Sequence, residues 1–289
     1  MEPTSQRLHA AHGLDLHLLE WSREGVPLLM LHGFGNEAHI WDAFAPHVAP
    51  HYRTLALDQR GHGRSDWDPE GRYDPGSMCE DLEKITEALG LDRLVLVGHS
   101  MGGRVATLFA GRHPERMAGL VLVDIGPELD PRGPLRMREE VAHHRSPRFD
   151  SVEAYARVVA HNHPAAGPDS VMRMARDETR QREDGSFELR MDPALRERFQ
   201  VAEPDGQALA LEAREIATQW EALAKISCPT LVVRGAASDF LSPDIADRMV
   251  EDVLQNGSLA VVSQASHSVM SDNPDGILEA VADFALTPG

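Results

Sequence analysis

Ser100 stands in Gly98-His99-Ser100-Met101-Gly102, a G-x-S-x-G turn entered from the apolar run Leu94 to Val97. A serine hydroxyl attacks a carbonyl only when a base takes its proton, so the chain must also supply an imidazole. Fifteen histidines are available. His267, in Ser266-His267-Ser268, follows the last predicted strand and precedes the last predicted helix, so it is the expected base. His113 falls at a helix end, and His161 and His163 lie where no core strand is expected. His99 flanks the serine but should point away from it, which suits packing. The third group must be a carboxylate that orients the imidazole and stabilises its protonated form. Asp239, in Gly235-Ala236-Ala237-Ser238-Asp239 after the apolar run Pro229 to Val233, is the expected acid. Its rival is Asp124, directly after Leu120 to Val123.

The glycines around Ser100 permit a tight turn that lifts Oγ above a sheet, beside a helix N-terminus with unpaired N–H groups. A developing oxyanion needs two backbone donors. The expected pair is the N–H of Met101 and the N–H of Phe34, in His32-Gly33-Phe34-Gly35. Phe34, Trp41 and Phe240 are the expected apolar residues around a bound substrate.

These groups need a scaffold that brings strand ends to one edge. Asp15 to Trp21, Pro27 to Leu31, Tyr52 to Leu57, Leu94 to Val97, Leu120 to Val123, Pro229 to Val233 and Ser258 to Val262 all read as strands. Short apolar runs of this kind suit strands covered on both faces, as in a parallel sheet. Helical patterns alternate with them. Ser77-Met78-Cys79-Glu80 has the form of a capping box, and Gly90 suits a C-terminal cap. Ser242-Pro243 and Asn273-Pro274 each look like a helix start. The alternation breaks between about Pro127 and Trp220. There Val152, Tyr155 and Val159 mark one helix and Val171 and Ala175 another, while Phe187, Leu189 and Met191 alternate as a short extended piece. The expected division is a core of residues 1–126 and 221–289 with an inserted, mainly helical subdomain of residues 127–220.

With 28 basic and 46 acidic residues, the formal net charge of the 289-residue chain is −18. That balance argues against nucleic acid and anionic membrane surfaces as partners. Two cysteines, Cys79 and Cys228, have no metal-ligand spacing. The first residues lack an apolar segment of the signal-peptide type, and no run is long enough to span a membrane. A cytoplasmic protein, monomeric or homodimeric, is expected.

The segments LHGFGN, LDQRGHGRSD, VGHSMGG, LVLVDIGPEL, RGAASD and SHSVMSDNP together resemble the α/β-hydrolase superfamily, in its serine-hydrolase form with a helical cap. The resemblance covers nearly the whole chain and implies an α/β-hydrolase fold with a mostly parallel eight-stranded sheet flanked by helices. It also implies a carboxylesterase-like hydrolase acting through an acyl-enzyme on small to medium apolar esters, aliphatic polyesters among them, without metal or organic cofactor. Ser266 departs from the glycine that many relatives carry before the histidine, and the oxyanion loop lacks a GGG run. A lactonase, a carbon–carbon bond hydrolase, a cofactor-free peroxidase or perhydrolase, and a ligand-binding receptor with vestigial turnover remain open alternatives.

Overall fold

The computed structural model describes residues 2–143, 148–197 and 206–285. Strands β1 (Thr4–His9), β2 (Asp15–Glu20) and β3 (Val26–Leu31) come first, followed by helix α1 (Ala45–Val48) and strand β4 (Tyr52–Leu57). Helix α2 (Pro75–Ala88), strand β5 (Leu94–His99), helix α3 (Met101–Arg112) and strand β6 (Met117–Val123) continue the alternation. Next come helix α4 (Arg132–His143), strand β7 (Arg148–Phe149), and helices α5 (Val152–Asn162) and α6 (Pro168–Asp177). Strands β8 (Thr179–Gln181) and β9 (Phe187–Leu189) and helices α7 (Pro193–Glu197) and α8 (Gly206–Leu223) complete this stretch. The chain then returns through β10 (Thr230–Gly235), α9 (Pro243–Arg248), β11 (Gly257–Val262), α10 (Val269–Asp272) and α11 (Pro274–Ala285).

Eight strands form one sheet in the order β1-β2-β4-β3-β5-β6-β10-β11. Pairing is parallel from β4 through β11 and antiparallel only where β2 meets β1 and β4. Every residue of β5 is buried, as a central strand between two helical layers requires. Two apolar clusters fill the two faces. Leu29, Leu96 and Val105 belong to one, and Met30, Val97 and Trp41 to the other.

Three local outcomes depart from the sequence expectations. Strand β1 was not foreseen, because TSQRLH has no apolar run; it holds the sheet edge through register with β2, Thr4 opposite Glu20. Helix α2 begins at Pro75, before the expected Ser77 cap, because the Asp74 carboxylate accepts the Ser77 N–H at 3.0 Å. Residue 220 falls inside α8, whose Ala222 and Leu223 join the same core cluster as Val105 of α3. The Ser242 cap behaves as expected and accepts the Ile245 N–H at 3.2 Å. Between β6 and β10, helices dominate, with a small antiparallel sheet β7-β9-β8.

Candidate active site

The turn between β5 and α3 holds Ser100 at φ 51° and ψ −117°. A non-glycine residue in this region costs about 1–3 kcal/mol, so the surrounding structure must enforce it. The neighbours do so by leaving no room for alternatives. A Cβ built on Gly98 would lie 2.6 Å from the Gly102 carbonyl oxygen, and one on Gly102 would lie 2.6 Å from the His32 carbonyl oxygen. The loop after β3 is pressed onto the same turn: a Cβ on Gly33 would meet His99 Nδ1 at 2.5 Å and Ser100 Cβ at 3.2 Å. Gln59 fixes that loop from behind. Its side-chain N–H donates to the His32 carbonyl at 2.6 Å, and its backbone N–H donates to His32 Nε2 at 3.0 Å.

His267 reaches the serine from the loop between β11 and α10. Ser100 Oγ lies 2.9 Å from His267 Nε2, and His267 Nδ1 lies 2.8 Å from Asp124 Oδ2. The acid on the imidazole is therefore Asp124, not the expected Asp239. Asp124 stands directly at the end of β6, itself at a φ of 51°, and is fully buried. Its Oδ1 accepts the Gly235 N–H at 3.0 Å, and Oδ2 also accepts the Ser238 hydroxyl at 2.6 Å. Asp239 turns away and takes the Arg136 guanidinium through both oxygens, at 2.6 and 3.0 Å. The reason is chemical as well as geometric, because Arg136 on α4 offers a fork that matches a carboxylate.

Burial governs the charges here. It pushes the His267 imidazole below its ordinary value, with the nearby Arg136 guanidinium acting in the same direction. Burial also pushes the Asp124 carboxyl up, against the hydrogen bonds from Ser238 and Gly235 that favour its anion. A neutral imidazole donating from Nδ1 leaves the Nε2 lone pair facing the serine hydroxyl, the form a general base needs.

Two rings pack on the imidazole. Phe240 stacks on it with ring centroids 3.7 Å apart at 16°. His99, expected only to pack, tilts against it at 4.8 Å and donates from Nε2 to the His267 carbonyl at 2.9 Å. Arg136, Ser238 and His99 were not recognised from sequence as parts of this site. Only Ser238 carried a signal, as a hydroxyl inside the very loop that supplied Asp239.

Two cavities meet at Ser100, and Phe34, Met137 and Phe240 line both. The first, about 130 Å³, is of mixed character: Asn36, Arg136, Tyr155, His163 and Glu178 stand in its wall beside Val141, Phe149, Leu189 and Met191. The second, about 300 Å³, receives Met101 with Tyr73, Ile125, Leu129 and Leu195. Trp41, expected against the substrate, lines neither; it is fully buried and packs edge-on against Phe44 in the core. Among the described residues one group could gather around a cation, His39 with Asp42 and Asp177, their ligand atoms within 4.8 Å of one another. It stands apart from Ser100, lining neither of those cavities.

A serine–imidazole–carboxylate chain on the C-terminal edge of a mostly parallel sheet is the site architecture of the hydrolase fold. The chain belongs to the alpha/beta hydrolase fold family, whose model matches residues 26–274. It is thereby an enzyme of that superfamily. It is similar to the esterase Rv0045c of Mycobacterium tuberculosis, 27% identical over 283 residues that cover 96% of this chain and 88% of the relative. It is also similar to the 2-(acetamidomethylene)succinate hydrolase of Mesorhizobium japonicum, 26% identical over 90% of this chain and 88% of that protein. A crystal structure of an E-2-(acetamidomethylene)succinate hydrolase superposes with a TM-score of 0.83 at 24% identity, covering 99% of this chain and all of the other, and so shares the fold. Among the described residues no helix is long and apolar enough to cross a membrane.

Proposed function

We propose that this protein hydrolyses carboxylic esters of small molecules through an acyl-enzyme on Ser100. The observation that carries this reading is the unbroken chain from Ser100 Oγ through His267 to Asp124, with 2.9 and 2.8 Å links, at the meeting point of two cavities. His267 removes the hydroxyl proton as Oγ attacks the carbonyl. Asp124 then holds the imidazolium in place. The backbone N–H groups of Phe34 and Met101 receive the oxyanion, helped by the N-terminus of α3. His267 next protonates the leaving alcohol, and a water activated by the same imidazole cleaves the acyl-enzyme. The second cavity, with its aliphatic and aromatic walls, takes an apolar portion of the ester. The likeness to a protein named as an esterase over nearly the whole chain supports this chemistry.

The test is hydrolysis of p-nitrophenyl acetate, butyrate, octanoate and laurate by the wild type and by Ser100→Ala. Turnover should fall by roughly 10³-fold or more in the variant, since the nucleophile acts as a unit with its base. The chain-length profile should break where the acyl group outgrows its cavity. Absence of wild-type turnover on all four esters would remove the general-esterase reading.

A further inference from the structure

Glu178, directly after α6, is buried in the wall of the first cavity, of mixed polar and apolar lining, that also holds Ser100 and His267. Its Oε1 accepts from Asn36 Nδ2 at 3.0 Å and its Oε2 accepts from the Tyr155 hydroxyl at 2.6 Å. Both donors are uncharged. The groups acting on its charge are Tyr155, Asn36 and the carboxyl of Asp177, with no cation among them, and burial pushes the carboxyl up to about 7. Glu37, a second buried carboxyl, feels the same neighbourhood. A carboxylate taken out of water without a counter-charge is costly and holds a proton more readily, and carboxyls perturbed in this way cluster in clefts at functional sites. A carboxylate has about four acceptor positions, and the two protein donors occupy about half of them.

The two arginines of this cavity are engaged elsewhere. Arg136 is committed to Asp239 and Glu140, and Arg196 donates to the Val141 carbonyl. On the far side of Ser100 the second cavity is mostly apolar, walled by Ile125, Leu129, Pro134 and Leu195. The two sides of the nucleophile thus differ in chemistry. We propose that Glu178 is a specificity-determining residue that accepts a hydrogen bond from one half of the substrate, which carries a hydroxyl, amide N–H or ammonium group, while the other half is apolar. A substrate carboxylate in the same place would set two like charges together in a low-dielectric wall. This assignment rests on the ester-hydrolase reading above for the identity of the reacting bond.

Two matched ester series test it, because either half of the ester could enter the cavity that holds Glu178. The acyl series is ethyl pentanoate, ethyl 5-hydroxypentanoate and monoethyl glutarate. The alcohol series is propyl butyrate, 3-hydroxypropyl butyrate and 3-(butyryloxy)propanoate. Binding is read as Kd by calorimetry on Ser100→Ala, so that it does not depend on turnover. The hydroxyl ester of one series should bind about tenfold more tightly than its apolar and carboxylate counterparts. That ratio should collapse in Ser100→Ala/Glu178→Leu and shrink in Ser100→Ala/Glu178→Gln. Equal affinities within both series, preference for a carboxylate ester, or a Glu178 substitution that weakens all six esters alike would overturn the proposal. The last result would make Glu178 a tether between Asn36 and Tyr155 only. Turnover of the same esters by the wild type separates the two readings. Turnover without preference removes the role of Glu178, and preference without turnover removes the esterase reading but keeps the site.

Discussion

Asp124 holds His267 from the end of β6, with Oδ2 2.8 Å from the imidazole Nδ1, while the loop after β10 folds over the same carboxylate through Gly235 and Ser238. Two strands that pair in the sheet thus share one acid. The strand end supplies the carboxylate, and the neighbouring loop supplies the donors that aim it. Like Ser100, Asp124 is held at a φ of 51°. Nucleophile and acid therefore both project from abrupt turns at strand ends, where the side chain clears the sheet.

This arrangement separates the two carboxylates by experiment. Asp124→Asn keeps the shape but presents the wrong hydrogen-bonding partner to Nδ1, and kcat on p-nitrophenyl butyrate should fall by roughly 10²–10⁴-fold. Asp239→Asn leaves the Asp124–His267 contact intact and should keep kcat within about tenfold of wild type. A larger loss in Asp239→Asn than in Asp124→Asn would reverse the assignment made from the geometry.

The nucleophile and base were legible because each stands in a local pattern with a mechanical consequence: glycines that can only serve a tight turn, and a histidine in the loop between the last strand and the last helix. The acid was not. Asp124 and Asp239 both follow apolar strands, and those strands turn out to be adjacent, so chain position could not rank them. What decided between them lies far away in sequence. Arg136 on α4 captures Asp239 across 103 residues, and nothing in the spacing of the motif announces that partner. The same holds for Glu178, whose contacts with Asn36 and Tyr155 join three separate elements. Trp41 shows the converse, because an aromatic residue near the oxyanion loop in sequence reads as a pocket wall, yet the core claims it.

Arg136 should also set the pH range of the enzyme. Burial lowers the His267 pKa below 6.5, Arg136 lowers it further, and Asp239 opposes that shift. The base works when neutral, so the acidic limb of kcat/KM should fall below pH 6.5. Removing the guanidinium in Arg136→Gln makes the imidazolium easier to form and should move that limb upward by roughly one pH unit. Removing the opposing charge in Asp239→Asn should move it downward. A pH–rate series on all three proteins reads both shifts. Limbs that coincide would show that the ion pair beside the imidazole does not control its protonation.

The support beneath the oxyanion loop makes a stability prediction with a functional echo. Arg60 is fully buried and binds Asp81 through Nε at 2.6 Å and Nη2 at 2.8 Å, with Asp68 at 3.0 Å from Nη1. Its neighbour Gln59 is the residue that pins His32 behind the oxyanion loop. Arg60→Met keeps much of the volume but strands the buried Asp81 carboxylate, and breaking a buried pair in this way costs about 3–5 kcal/mol. Urea unfolding of the variant should show that loss as a lower midpoint. Because the same segment aims the oxyanion loop, kcat should fall along with stability even well below the unfolding transition. If instead the midpoint drops and kcat per folded molecule is unchanged, the Arg60 network serves the core alone and Gln59 holds His32 without its help.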